Sequence, residues 1–203
     1  MNTCRRSLAA LGTEYVDLYL LHHAQPSKED RIEQYRALVQ LQQEGLARSI
    51  GVSNWNIHHI EQLLEAGLPV PACNQIEIHP LCTQEPLLAY MRKHNITPVA
   101  YSSLAPLNSW RSAPNQASSK TNRSDTRMAR LAQKYEVSEA QVLLRWAVQH
   151  GYAVIPKSID PAKQRVNFDV FGFSLSDDDM RLLDSYNKDT PLAWPGMNPL
   201  SCP

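Results

Sequence analysis

The sequence is short of glycine and cysteine, and it has no excess of charge of either sign. Its seven glycines are dispersed and form neither G-x-G-x-x-G nor G-x-x-x-x-G-K-[ST], so the two commonest glycine-rich phosphate cradles are excluded. Any nucleotide bound here is held by other means. The four cysteines, Cys4, Cys73, Cys82 and Cys202, are scattered without a C-x-x-C pair, which supports neither a disulfide framework nor a zinc ribbon. Twenty Lys and Arg balance twenty Asp and Glu, so the bulk electrostatics favour neither nucleic acid nor an anionic membrane as a partner. No run reaches the roughly 18 apolar residues of a membrane span. The opening MNTCRRSLAA also lacks the apolar stretch of a secretory signal, so the expected location is the cytoplasm.

What the chain does have is alternation. Its 203 residues, 43% of them apolar, suffice for one domain with a real core. From about residue 15 to about residue 170, short β-branched and aromatic runs alternate with segments of helical period. The predicted strands are Tyr15 to Leu21, Ser49 to Val52, Cys73 to Ile78, Thr97 to Tyr101 and Ala153 to Pro156. A short helical segment ending at Gly12 precedes the first strand. Predicted helices follow Ser27, with Gly45 as the stop, and cover Asn56 to Ala66, Glu85 to His94, Asp125 to Tyr135, Glu139 to His150, Pro161 to Phe168 and Asp177 to Tyr186. Serine stands at the N-cap position of the two helices after the polar stretch Asn108 to Ser124, which reads either as a lid or as a surface insertion.

Parallel strands joined by helical crossovers leave two architectures, an open doubly wound sheet or an arc of a (β/α)8 TIM-type barrel. His22, Ser53 with Asn54, Gln75, Tyr101, and Lys157 with Ser158 stand at or just beyond the C-terminal ends of the five predicted strands. Polar groups from every strand at one rim are what a barrel active site requires, so the α/β barrel is favoured. Each residue also has a plainer role open to it. His22 reads equally as a capped histidine, Asn54 and Gln75 as partners for loop backbone, and Tyr101 as a core aromatic. Lys157 and Ser158 form either a surface turn or an anion site at a helix start. His23 is expected on the face opposite His22, and His22, His58, His59 and His79 with Cys82 fit no metal-ligand spacing.

The segments YVDLYLLH, IGVSN, NQIEIHP, VAYSSL and VIPKS, in that order, resemble the aldo-keto reductases, NADPH-dependent carbonyl reductases on a (β/α)8 barrel. The resemblance implies that His22 orients a substrate carbonyl, and that Ser53, Asn54 and Gln75 hydrogen-bond the nicotinamide carboxamide. It implies that Tyr101 stacks under the ring and that Ser102 and Leu104 pass the pyrophosphate. Lys157 and Ser158 then meet the 2'-phosphate, and Asn167 meets adenine. The family's usual arginine six positions after the lysine is Lys163 here, a point charge without a bidentate fork, which weakens the expected preference for NADPH over NADH. Arg165 is a possible substitute at a different place on the helix turn, and Val166 replaces the usual Glu or Gln.

In the family the catalytic aspartate, tyrosine and lysine lie upstream of the histidine-bearing strand. Here Tyr15, Asp17 and Tyr19 lie within that strand and no lysine occurs before Lys28. The expectation is one partial domain of about five βα units, with exposed sheet edges that favour self-association. Its expected function is NADPH-dependent reduction of a small carbonyl substrate. The alternatives are a non-catalytic NADPH-binding or interaction module and an inactive fragment. Trp55, Trp110, Trp194 and Met197 read either as substrate-pocket residues or as packing.

Overall fold

A computed structural model describes residues 2–107 and 126–193. The stretch 108–124, Trp194, Met197 and Cys202 lie outside the described residues. The five strands are parallel where their pairing is defined, and follow the order β1-β2-β3-β4-β5. Each strand is followed by at least one helix, which is the connectivity of consecutive βα units and confirms the expected α/β class. The contacts divide the chain into two compact units, one comprising residues up to Ile76 with Pro86–Thr97, the other Glu77–Glu85 with the described residues from Pro98 onward.

In the first unit, α1 (Asn2–Leu11) buries Cys4 and Leu8 against Leu41, with Val16, Tyr19 and Leu46 packed around them. It leads into β1 (Val16–Leu21). The helix α2 (Lys28–Gln43) starts where the Ser27 hydroxyl accepts the amide of Asp30 at 3.1 Å, and Glu29 and Asp30 complement the positive end of the helix. Gly45, at φ +74°, turns the chain out of α2 into β2 (Ala47–Ser53). Asn56 caps α3 (Ile57–Glu65) in a reciprocal box with His59. The strand β3 (Cys73–Glu77) and helix α4 (Glu85–Lys93) follow. Asp17, the one acidic residue in the apolar β1, is exposed and pairs with Arg48 at 3.1 Å. A Cβ at Gly51 would lie 2.8 Å from Leu20 Cδ2 and from the carbonyl of Cys73, so β1 and β3 close tightly on β2 at that point.

In the second unit, Ile78 N donates to Tyr101 O at 3.4 Å, and β4 (Thr97–Tyr101) pairs with β5 (Ala153–Val154) through Val99↔Ala153 and Ala100↔Val154. Between those strands run α5 (Thr126–Lys134) and α6 (Glu139–Gln149), and α7 (Pro161–Phe168) and α8 (Asp177–Asp184) follow β5. Ser138 and Gln141 form a capping box at α6, and Leu143, Leu144 and Trp146 carry its buried face.

The boundaries differ from the sequence expectation where pairing decides them. β2 reaches back to Ala47 because Val16 and Ala47 are in register. β5 stops at Val154, two residues short of Pro156, which has no N–H to give to a ladder. Apolar side chains are exposed on β1, at Leu18 (41%), and at the residue just after β5, Ile155 (48%).

Candidate functional site

The predicted site residues of the first unit gather at the C-terminal ends of β1, β2 and β3. Ser53 and Gln75 are in register. The Ser53 hydroxyl donates to the Gln75 carbonyl at 2.7 Å, and the Asn54 amide N–H donates to the same carbonyl at 3.0 Å. Asn54 sits at φ 58°, the left-handed region that asparagine tolerates better than most residues. Its side-chain amide donates to the His22 carbonyl and to Ser53 Oγ, both at 3.2 Å. Ser53 and Asn54 therefore act first as partners for rim backbone, the plainer of the two roles the sequence left open. Gln75 itself is half-buried.

His22 is exposed, and its ring lies 5.8 Å from that of His23, edge to face. The expectation that they point to opposite faces is corrected: both residues follow the end of β1, where strand alternation no longer applies. Behind them the buried Arg31 donates Nε to Gln62 Oε1 at 3.0 Å and its terminal nitrogen to the carbonyls of Gln25 and Pro26, fixing the turn after β1. Trp55, one reading of which put it at a pocket, is fully buried and belongs to the core.

In the second unit Tyr101 ends β4, half-buried, and Ser102 follows at φ 54°. The reversed backbone at Ser102 turns the chain at once into the 3-10 turn Ala105–Leu107, with Ala105 N donating to Ser102 O at 2.8 Å and Leu104 half-buried between them. Lys157, Ser158 and Lys163 surround the start of α7. That helix start is not itself an open anion site, because the Asp160 carboxylate caps it by accepting the Ala162 amide at 2.9 Å. Ser158 Oγ is also engaged, accepting from Asp160 N at 3.1 Å. Anion affinity at this end therefore rests on the lysine side chains. Both are exposed and, among the described residues, neither has a carboxylate partner. Lys163 and Asn167 are four apart on α7 and share a face, whereas Arg165 lies on another.

One cluster escaped the sequence reading. The Glu77 carboxylate, 2% exposed, accepts at Oε1 from Leu192 N at 2.7 Å and Ala193 N at 2.9 Å, and lies 3.0 Å from His79 Nε2. Burial pushes this carboxyl up. The hydrogen bond and attraction of His79 and the two amide donors together outweigh that and hold it below its ordinary value. An ionised carboxylate can only accept, so Nε2 carries the ring hydrogen, and the opposite nitrogen, Nδ1, is buried without a partner among the described residues. The signal was present as the alternation of Gln75, Glu77 and His79, three polar residues at strand spacing on one face.

Cys4, Cys73 and Cys82 are free and buried. Burial lifts the thiol of Cys73 to about 11 and, with the nearby Glu77 and Asp189 charges, that of Cys82 to about 12, so neither is a ready nucleophile. Among the described residues no helix is long and apolar enough to cross a membrane, and no group of three His, Cys, Asp or Glu could hold a metal.

Comparison with known proteins bears on this arrangement. The sequence model of the aldo/keto reductase family matches residues 1–188. The glyoxal reductase of Bacillus subtilis is 39% identical over 184 residues, covering 91% of this chain and 61% of that protein. The 9,11-endoperoxide prostaglandin H2 reductase of Trypanosoma cruzi is 38% identical with the same coverage, 91% and 61%. The chain thus spans about three fifths of the length of these curated relatives. Among solved structures, a Bombyx mori aldo-keto reductase in complex with NADP superimposes with a TM-score of 0.80 at 36% identity, covering 93% of this chain and 63% of the other.

Proposed function

This chain belongs to the aldo/keto reductase family, and on that premise we propose that it binds NADPH and reduces aldehydes or ketones to alcohols. The observation that carries the reading is the registered pair Ser53 and Gln75 with the bridging Asn54, which brings the polar ends of β2 and β3 beside the His22 carbonyl. NADPH, when bound, supplies a hydride. The residues fit such a cofactor by the chemistry of their donors and acceptors. A carboxamide needs both kinds of hydrogen-bond partner, and a Gln75 amide in a rim shaped by Ser53 and Asn54 supplies them. The Tyr101 ring offers a flat apolar surface for the nicotinamide, and Ser102 and Leu104 lie on the turn beside it for the pyrophosphate. Lys157 and Lys163, with Ser158, supply cations for a 2'-phosphate, and Asn167 shares the Lys163 face of α7 for adenine.

His22 is the titratable group assigned to the reacting end. Its imidazole orients the carbonyl oxygen, and a ring in the charged state can pass that oxygen the proton that completes the alcohol. The same reading includes self-association through the terminal strands β1 and β5, supported by the exposed Leu18 of β1 and by Ile155, which directly follows β5.

The test is titration of the purified chain with NADPH by protein fluorescence, followed by loss of NADPH absorbance on adding glyoxal. Saturable binding with carbonyl-dependent oxidation is expected. Binding without turnover would instead assign a nucleotide-binding module, and absence of binding would refute the reading altogether.

A further inference from the structure

The helix α7 has eight residues, fewer than the roughly 12 to 15 an isolated helix needs to persist in water, and none of its residues is buried. The packing that ordinarily stabilises so short a helix is incomplete here. Five of the ten large apolar residues exposed among those described fall between Ile155 and Phe171. Ile159 is 86% exposed, Phe168 79% and Phe171 67%. The adjoining strand β5 is terminal and pairs on its β4 side alone.

A cavity of about 430 Å³ opens on the same face, between α6 and β5 on one side and α7 on the other. Its walls include Val148, Val154, Pro156, Phe168 and Phe171, and none of its lining residues is charged. The Phe168 and Phe171 rings meet edge to face at 6.4 Å and form one aromatic ridge beside the hollow. A ridge and a hollow that share side chains suit a two-fold contact, in which each copy offers both halves of the fit. A cavity of roughly 150 Å³ already takes a benzene-sized ring, so this one has room for the ridge of a partner. On or beside α7 stand Lys157, Asp160, Lys163, Arg165 and Asp169, all exposed and of both signs, as at the polar rim of an interface. The five exposed apolar side chains present on the order of 600 Å² per copy, the upper end of what a monomer shows in one patch. Two copies together would bury about 1,200 Å², enough for a specific contact at the small end of the stable class.

We propose that the α7–β5 face is a two-fold interface with a second copy of this chain, and that self-association there competes with NADPH. The competition rests on the reductase reading, which assigns Asn167 to adenine. Asn167 lines the cavity, and its carboxamide makes no hydrogen bond among the described residues. A second copy seated on this face covers that amide with apolar surface and leaves it unpaired, whereas adenine offers it both donors and acceptors. The two occupants exclude each other, and linkage makes the effect reciprocal.

The experiment is sedimentation velocity of the purified full chain from low to high micromolar concentration, with and without NADPH, on the wild type, Phe168→Lys and Leu18→Lys. The Phe168 side chain is mostly exposed, so its replacement leaves folding intact, which a thermal melt of dilute protein verifies. Because a two-fold contact meets each substitution twice, Phe168→Lys should weaken the dimer roughly a hundredfold or more. Leu18→Lys, on the opposite terminal strand, should leave it unchanged. Saturating NADPH should shift the wild type toward monomer, and its apparent NADPH dissociation constant should rise with protein concentration while that of Phe168→Lys stays level. A wild type that is monomeric at every concentration overturns the interface. So does a dimer that Leu18→Lys breaks and Phe168→Lys spares. A dimer that binds NADPH without dissociating overturns the competition. Absence of NADPH binding in both the wild type and Phe168→Lys removes the reductase reading and the competition with it, while sedimentation still decides the interface.

Discussion

The side-chain amide of Asn54 donates to the main-chain carbonyl of His22 across 3.2 Å, tying the end of β2 to the turn that follows β1. Asn54 does so from a left-handed backbone conformation at φ 58°. Two properties of asparagine meet at this residue, tolerance of that conformation and a side-chain donor short enough to reach across to the neighbouring strand end.

Replacing it separates the two. Asn54→Ala should cost about 2 kcal/mol, the sum of a lost hydrogen bond and an unfavourable left-handed alanine. Asn54→Gly, which relaxes the backbone but also lacks the bridge, should cost about 1 kcal/mol. Urea unfolding of the three proteins checks the order, and a glycine variant less stable than the alanine variant would show that φ is not the source of strain.

At the other end of the proposed cofactor site, Lys157→Ala should weaken NADPH by roughly tenfold more than NADH, since only NADPH carries the 2'-phosphate. Lys163→Arg should tighten NADPH and leave NADH alone, because a guanidinium adds a bidentate fork on the face shared with Asn167. Paired fluorescence titrations decide both. Equal effects on the two cofactors would remove the 2'-phosphate assignment.

Tyr101→Ala should weaken both cofactors by the same factor, about 2- to 10-fold, the loss of ring stacking being blind to the phosphate. The same titrations measure it. Unchanged affinity with a lowered melting temperature would place the ring in the core instead.

Asp179 gives a pH dependence. Its carboxylate accepts from Lys134 Nζ at 2.6 Å, from Ser176 Oγ at 2.8 Å and from the Tyr135 hydroxyl. Burial acts to raise it, but these donors together hold it below its ordinary value of 3.8. A carboxyl lowered by folding contributes stability that is fully present above the unfolded value and is lost as pH falls through the folded one. Thermal melts from pH 6 downward should therefore show a steeper acid loss in the wild type than in Asp179→Asn. Lys134, raised by the same contact, predicts the mirror case, a contribution held up to its ordinary value near 10.5 and lost as pH rises beyond it.

Local signals carried most of the fold. Ser27, Asn56 and Ser138 stand at helix starts where the sequence put them, and the Pro161–Phe168 helix matches to the residue. Each of these depends on chemistry within four residues. Strand ends depend on the neighbouring strand, which is why β2 began early at Ala47 and β5 ended at Val154. The same divide runs through the candidate site. His22, Ser53, Gln75 and Tyr101 were visible as polar residues ending apolar runs. The capture of Ser53 and Asn54 by rim backbone, the filling of the α7 start by Asp160, and the embrace of Leu192 and Ala193 by Glu77 all require knowing what lies opposite in space.

The reach of that last contact also has a consequence in time. During synthesis Glu77 leaves the ribosome 115 residues before the first of its two amide partners, a lag of about 6 to 23 s at ordinary rates of translation. Through that interval the nascent end of β3 carries a carboxylate whose backbone donors do not yet exist. Ordering of this strand end is thereby coupled to synthesis of residues 192 and 193, and messages truncated before residue 192 should yield products in which the Glu77 carboxylate lacks both amide donors.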